Sequence, residues 1–226
     1  MSTVFIRVEA SNQIGMGHLM RCLIFAQYAS QKGVNSLFLT SSNSAREKIH
    51  EKGFNCKLIS INHKRALKEI ISIKSNFNSK IMLLDINYFS KAEQKHEYFL
   101  LLKALRSINF FLITFEDLSI ELFHSDIVIV PYVGAENLGL KNEHNSQYLL
   151  GPRFFPLSED FRKIKKNRRT RIGVNTILIT MGGSDPNQIT IKIVKALSKL
   201  EHNIHLVIVL GSLSQIENEK IEKLLK

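Results

Sequence analysis

Long apolar runs and cysteines are both scarce in this sequence of 226 residues. No run approaches the roughly 18 uncharged apolar residues that a bilayer-spanning helix needs, which argues against a transmembrane protein. The first residues lack the basic stretch and the long apolar stretch of a secretory signal peptide. The two cysteines, Cys22 and Cys56, are too few for a disulfide framework. We therefore expect a cytoplasmic protein without a membrane span.

Acidic residues are also outnumbered, since 20 Asp and Glu face 31 Lys and Arg, for a formal net charge of +11. Such an excess favours acidic partners such as phosphates, nucleic acid or a membrane surface. Seven basic residues fall within positions 161–171, uninterrupted by an acid: Arg162, Lys163, Lys165, Lys166, Arg168, Arg169 and Arg171. Few aromatic residues accompany them, so stacking on bases is unsupported. We interpret this run as a solvated linker and predict no nucleic-acid partner.

The hydrophobic fraction of 44% is that of a globular chain, and short apolar runs alternate with helical patterns. Six strands are predicted: Val4–Ala10, Asn35–Thr40, Cys56–Ile61, Ile81–Ile86, Phe110–Phe115 and Asp126–Val130. Four helices are predicted between them: His18–Gln31, Asn43–Lys52, Arg65–Lys74 and Lys91–Ser107. Near-continuous apolar strands that alternate with helices indicate an α/β fold with a mostly parallel sheet.

A second strand–helix unit follows the basic run. It consists of predicted strands at Thr176–Thr180 and His205–Leu210 and helices at Asn187–Leu200 and Leu213–Lys226. We therefore predict an N-terminal domain over 1–156, a basic linker over 157–172 and a C-terminal domain over 173–226. Two strands and two helices bury little apolar surface. We expect this second domain to be incomplete, or to need a partner surface.

The most informative motif is a glycine loop between the first strand and the first helix. Gly15 and Gly17 allow a close backbone approach to a ligand, and the helix N-terminus that follows favours a phosphate. His18 lies on the first turn of that helix, and Arg21 lies one turn later. Both would face the carboxyl edge of the sheet, where open α/β sheets bind ligands. The alternatives are a tight turn without a ligand and an ordinary helical histidine.

A second glycine loop follows the strand Thr176–Thr180. Gly182, Gly183, Ser184 and Asp185 lead into the next helix. This loop is predicted either to cradle a diphosphate or only to cap the helix, and the spacing does not separate the two.

Acidic residues end two of the predicted strands. Asp85 ends one apolar strand, and Glu116 and Asp117 end the next. Such side chains would point to the same edge as His18, to orient it or to bind sugar hydroxyls, although Glu116 and Asp117 are equally well explained as helix caps. The other histidines are scattered, so no metal site is predicted. No Walker A loop, complete G-x-G-x-x-G or G-x-S-x-G element is present.

Five ordered segments resemble the PseG/SpsG-like family. That family comprises UDP-sugar hydrolases of pseudaminic acid biosynthesis and related predicted glycosyltransferases of surface polysaccharides. The segments contain the two glycine loops, two acidic strand ends and a Gly-Pro segment that an acidic stretch follows. They are Ile14–Leu23, Leu83–Asp85, Phe115–Leu118, Leu150–Phe154 with Glu159–Phe161, and Met181–Pro186.

The resemblance implies a GT-B-like architecture of two Rossmann-type domains, with UDP held mainly by the C-terminal one. It implies that His18 activates a water molecule that attacks the anomeric carbon of a UDP-sugar, without metal or cofactor. Asn87 and Tyr88 are predicted beside His18 as catalytic residues. The predicted substrate-binding residues are Gly15, Gly17, Arg21, Asp85, Glu116 and Asp117. The predicted nucleotide-binding residues are Gly182, Gly183, Ser184 and Asp185.

Two positions depart from the family pattern. The hydrolases have Tyr two residues after the strand-end Asp, where this chain has Asn87 and places Tyr88 one residue later. Glu9 stands where the family usually has Asp. Three hypotheses therefore stay open: a UDP-sugar hydrolase, a glycosyltransferase on the same scaffold, and an inactive or partner-completed fragment.

Overall fold

The computed structural model describes residues 2–11, 15–77, 79–86, 92–115, 125–140, 146–164, 173, 176–200, 204–211 and 214–225. The chain divides into two compact units, one of residues 1–9 and 18–158 and one of residues 10–17 and 159–226. Each unit has its own parallel sheet. The domain limits predicted from the sequence, at 156 and 172, stay predictions.

The first unit contains a seven-stranded sheet in the order β3-β2-β1-β4-β5-β6-β7, and every pair in it is parallel. Its strands are β1 Thr3–Val8, β2 Asn35–Thr40, β3 Asn55–Leu58, β4 Ile81–Asp85, β5 Phe111–Phe115, β6 Ile127–Val130 and β7 Gln147–Leu150. The six predicted strands are confirmed with small shifts at their ends. The edge strand β7 was not predicted, because its sequence Gln-Tyr-Leu-Leu has no β-branched residue, whereas the equally short β6 is Ile-Val-Ile-Val.

Four helices connect the first five strands: α1 Gly17–Gln31, α2 Asn43–Glu51, α3 His63–Lys74 and α4 Ala92–Ser107. Ser42 caps α2, because its Oγ accepts the Ala45 N–H at 3.2 Å. Asn62 caps α3 in the same way, because its Oδ1 accepts the Arg65 N–H at 3.1 Å. Side chains that satisfy the first free N–H groups define where these helices begin.

The central strands are buried on both faces. Phe5 of β1 and Leu84 of β4 pack in one cluster with Ile70 of α3 and Leu102 of α4. Ile6, which points to the opposite face of the sheet, is also fully buried. Sheets covered by helices on both sides carry such continuous apolar runs, which is why the sequence pattern predicts them.

The order of the strands reverses beside β1. The chain runs from β1 to β2 and β3 on one side and then returns to β4 on the other. In open α/β sheets a reversal of this kind is the place at the carboxyl edge where ligands bind. That edge holds the end of β4 and the start of α1.

The second unit contains α5 Glu159–Lys163, β8 Thr176–Thr180, α6 Ile189–Leu197, β9 His205–Val209 and α7 Asn218–Leu225. β8 and β9 pair in parallel, as predicted. Ile208 of β9 packs with Ile191 of α6 and Ile221 of α7. On the other face of the same two strands Leu178 is 62% exposed.

The last helix begins later than predicted, at Asn218 rather than Leu213. Ser214 explains this difference. Its N–H donates to the Gly211 carbonyl at 2.9 Å, and its Oγ accepts the Ile216 N–H at 3.2 Å. These local bonds form a turn that competes with helix formation until Asn218.

Candidate functional site

The loop after β1 closes on itself before α1 begins. Gly15 donates its N–H to the Ser11 carbonyl at 2.7 Å, and its φ of 87° is one that side-chain-bearing residues rarely adopt. Gly17 is the first residue of α1, one position earlier than predicted. Positions 12–14 between the two lie outside the described residues. This local geometry explains the two glycines in the motif.

His18 and Asp85 are hydrogen-bonded to each other. Asp85 ends β4 with a side chain that is only 1% exposed, and its Oδ1 lies 2.7 Å from His18 Nδ1. His18 lies on the first turn of α1 and keeps 19% of its side chain exposed. The strand order brings these two residues together, because β1 and β4 are neighbours and both point their carboxyl ends to this edge.

Arg21 binds the same carboxylate through both of its oxygens. Its Nε donates to Oδ2, and its Nη2 donates to Oδ1 at 2.6 Å. The guanidinium carbon lies 4.7 Å from the centre of the Phe115 ring, within the range of a cation–π interaction. Arg21 is 9% exposed. It therefore forms a buried bidentate ion pair, a geometry that arginine forms and lysine does not.

These contacts bear on the protonation of Asp85 and of the His18 ring. Burial by itself would raise the pKa of Asp85, but the hydrogen bonds from Arg21 and then His18 outweigh it and hold the pKa below its ordinary value. Asp85 is therefore ionised, and its Oδ1 accepts a hydrogen bond from His18 Nδ1 at 2.7 Å. An ionised acceptor at this distance favours the neutral tautomer that carries the proton on Nδ1 and the lone pair on Nε2. Among the described residues, none bonds Nε2.

Cys22 lies next to the Asp85 carboxylate. Its Sγ is 3.6 Å from Asp85 Oδ2, and the residue is fully buried. Burial first, and then the charge of Asp85, raise the pKa of this thiol well above its ordinary value. The thiol stays protonated, which suits the core residue predicted from the sequence rather than a nucleophile.

The second glycine loop lies after β8 in the second unit. Asp185 accepts the Ile189 N–H at 2.8 Å through Oδ1 and the Thr190 N–H at 2.9 Å through Oδ2. Burial opposes ionisation, but these bonds hold the pKa of Asp185 below its ordinary value. The carboxylate thus occupies the N-terminus of α6, the capping arrangement that the sequence left open.

A third glycine, Gly211, lies against this loop and was missed by the sequence reasoning. A Cβ atom at Gly211 would clash with the carbonyl oxygens of both Gly182 and Gly183. The backbone after β9 therefore approaches the backbone after β8 as closely as only glycine allows. Ser184 lies in the turn between Gly183 and Asp185 and is partly buried.

Four predicted site residues, Asn87, Tyr88, Glu116 and Asp117, lie outside the described residues. The second half of the predicted basic linker, residues 165–172, does so as well. Their predicted roles stay predictions.

A buried ion pair at the same edge of the sheet was also missed. Arg7 and Glu9 are paired and are only 1% and 5% exposed. Glu9 accepts the Ser41 N–H at 3.1 Å, the Ser41 hydroxyl at 2.8 Å and the Thr40 hydroxyl at 3.3 Å. Arg7 donates to the Leu39 carbonyl at 3.3 Å. The available signal was two charged residues, two positions apart, in an otherwise apolar strand.

Two kinds of feature are absent from the described residues. Within the parts of the chain described above, no helix is long and apolar enough to cross a membrane. The same residues include no group of three or more His, Cys, Asp or Glu that could hold a metal ion.

No family model matches the chain, whereas one curated protein and several solved structures are similar to it. The uncharacterized protein MJ1062 of Methanocaldococcus jannaschii is 31% identical over 99% of this chain and 45% of its own length. The crystal structure of MurG from Acinetobacter baumannii matches with a TM-score of 0.63 at 14% identity. A glycosyltransferase from Rickettsia africae matches with a TM-score of 0.57 at 15% identity.

These matches cover nearly all of this chain but only part of its relatives. The chain spans 64% of each of the two solved structures and less than half of MJ1062. The structural matches confirm the predicted fold class, α/β and GT-B-like. The PseG/SpsG-like family is a narrower assignment and stays a prediction.

Proposed function

We propose that this chain belongs to an enzyme that acts on nucleotide-sugars, with His18 as the general base. The observation that carries the proposal is the 2.7 Å bond between His18 Nδ1 and the buried Asp85 carboxylate. It leaves the basic nitrogen, Nε2, as the one without a partner among the described residues. A histidine oriented in this way by a carboxylate is a recurrent arrangement for general base catalysis.

The proposed reaction is hydrolysis of a UDP-sugar. Nε2 of His18 takes a proton from water while the water oxygen forms a bond to the anomeric carbon. The bond between that carbon and the diphosphate oxygen breaks, and its electron pair leaves with UDP. The products are the free sugar and UDP, and no electrons are gained or lost. The step therefore needs no redox cofactor, and we predict that it needs no metal.

The substrate class follows from the resemblance and the fold. We infer a UDP-sugar of nonulosonate biosynthesis of the pseudaminic acid type, because the five segments resemble hydrolases of that pathway. The backbone N–H groups at the start of α1 are suitable donors for a diphosphate, and the loop Gly182–Gly183 of the second unit is a separate candidate. Asp185 is less suitable for contact with an anion, because its carboxylate already binds the N-terminus of α6.

A glycosyltransferase is the second candidate. The same Nε2 would then take its proton from a sugar hydroxyl instead of from water. Two observations favour it: the structural matches described above include a glycosyltransferase from Rickettsia africae, and Asn87 stands where the hydrolases have Tyr.

UDP release distinguishes the two candidates. The protein is incubated with UDP-6-deoxy-diacetamido sugars, with and without a panel of methyl glycosides as acceptors, and UDP is quantified. We expect steady UDP release in water alone and the same rate with acceptor. Release that occurs only with an acceptor would establish the transferase instead. An absence of release in both arms would contradict the enzymatic proposal and favour the hypothesis of a partner-completed fragment.

A further inference from the structure

We propose that Arg21 is a positioning residue, which fixes the tautomer of His18 through Asp85. The tautomer itself is a property of the free protein, whereas its effect on rate rests on the proposed function. In the sequence interpretation Arg21 was a substrate-binding residue. The structure supports a different role, because the guanidinium is turned inward to the carboxylate.

The first argument is the geometry of the ion pair. A carboxylate that is held at one oxygen can rotate about its terminal bond, but Arg21 holds Oδ1 through Nη2 and Oδ2 through Nε. The ring of Phe115 in turn supports the planar guanidinium at 4.7 Å. Oδ1 is thereby kept 2.7 Å from His18 Nδ1. Arg21 thus fixes the plane of the carboxylate, and this places Oδ1 where His18 Nδ1 bonds to it.

The second argument is electrostatic. Asp85 is 1% exposed, so solvent does not stabilise its charge, and the hydrogen bonds from Arg21 are the strongest of those that keep its pKa low. Only an ionised carboxylate reliably accepts the Nδ1 proton. If Arg21 is removed, the carboxylate gains a proton more easily or turns away. The ring proton is then free to move to Nε2, and a ring protonated at Nε2 cannot act as the base at that atom.

The third argument concerns what Arg21 reaches. Its Nη2 lies 3.1 Å from His18 Nδ1, on the side of the ring that faces Asp85 and away from Nε2. From the Nδ1 side of the ring, Arg21 can change the rate only through its effect on His18. We therefore expect Arg21 variants to change kcat and to leave KM unchanged.

Nitrogen-15 NMR of the histidine side chains tests the tautomer without substrate. In the wild type we expect His18 to be protonated at Nδ1 and unprotonated at Nε2. In Arg21→Met we expect the signals to shift to a mixture in which Nε2 carries the proton. Arg21→Lys keeps the positive charge but loses the bidentate hydrogen bonds to Asp85. It should therefore fold and give His18 signals between those of the wild type and of Arg21→Met. Arg65→Met, an exposed arginine on α3, is the matched control and should leave the His18 signals unchanged.

Kinetics of UDP release gives the second readout. We expect Arg21→Lys to lower kcat by about 10- to 100-fold, as is common when a group that orients a functional histidine is replaced, with KM within about twofold. Wild-type His18 signals in both Arg21 variants would overturn the proposal, and so would a raised KM at unchanged kcat. A shifted tautomer in a protein that releases no UDP would uphold the positioning role and contradict the enzymatic function.

Discussion

Replacing His18 with asparagine is expected to slow UDP release from a UDP-sugar by about 10²- to 10⁴-fold, the usual contribution of a general base. Asparagine can still donate a hydrogen bond to Asp85 from a nitrogen placed like Nδ1. It has no basic nitrogen at the position of Nε2, so water is no longer activated. Initial rates at saturating substrate, measured for both proteins, test this.

The control for His18→Asn is His50→Asn, which alters an exposed histidine on α2. We expect His50→Asn to retain the wild-type rate and both variants to retain the wild-type unfolding midpoint. If His18→Asn released UDP as fast as the wild type, His18 would not be the base, however well it is oriented.

Replacing Glu9 with glutamine is expected to lower the free energy of unfolding by about 3–5 kcal/mol, the usual cost of removing one partner from a buried ion pair. Arg7 is 1% exposed and would keep its charge with no opposite charge beside it. The amide of glutamine still offers an oxygen to the Ser41 N–H, so the loss reports mainly on the charge. Urea unfolding followed by circular dichroism measures it.

Two further variants separate charge from packing. In the double variant Arg7→Met with Glu9→Gln no buried charge remains, so we expect it to recover much of the loss. Glu51→Gln breaks the exposed pair with Lys48 and should leave the unfolding midpoint essentially unchanged. The single variants Arg7→Met and Glu9→Gln are measured alongside, and a double variant whose loss of stability equals the sum of theirs would refute the electrostatic explanation.

The fold could be predicted because its signals are local. The strands buried on both faces, such as β1 and β4, are nearly continuous apolar runs, and helices of the length of α1 and α3 separate them. These patterns follow from burial and do not depend on which residues are in contact across the sheet. The edge strand β7 escaped prediction because it has no β-branched residue, and the late start of α7 escaped because a single serine turn leaves a weak pattern.

The candidate site could be predicted only in part. His18 and Asp85 were placed at one edge because parallel strands share the direction of their carboxyl ends. The role of Arg21 depends on side-chain geometry, since spacing alone gave only a face of α1. The Arg7–Glu9 pair also escaped, because its bonds to Thr40 and Ser41 join segments more than 30 positions apart.

The most direct test of the central claim, that water activated by His18 attacks the anomeric carbon, uses water enriched in oxygen-18. The protein is incubated with the UDP-sugar in this water, and the products are analysed by mass spectrometry. We predict that the released sugar carries the label and that UDP carries none. Label in UDP would show attack at phosphorus and would contradict the mechanism proposed for His18.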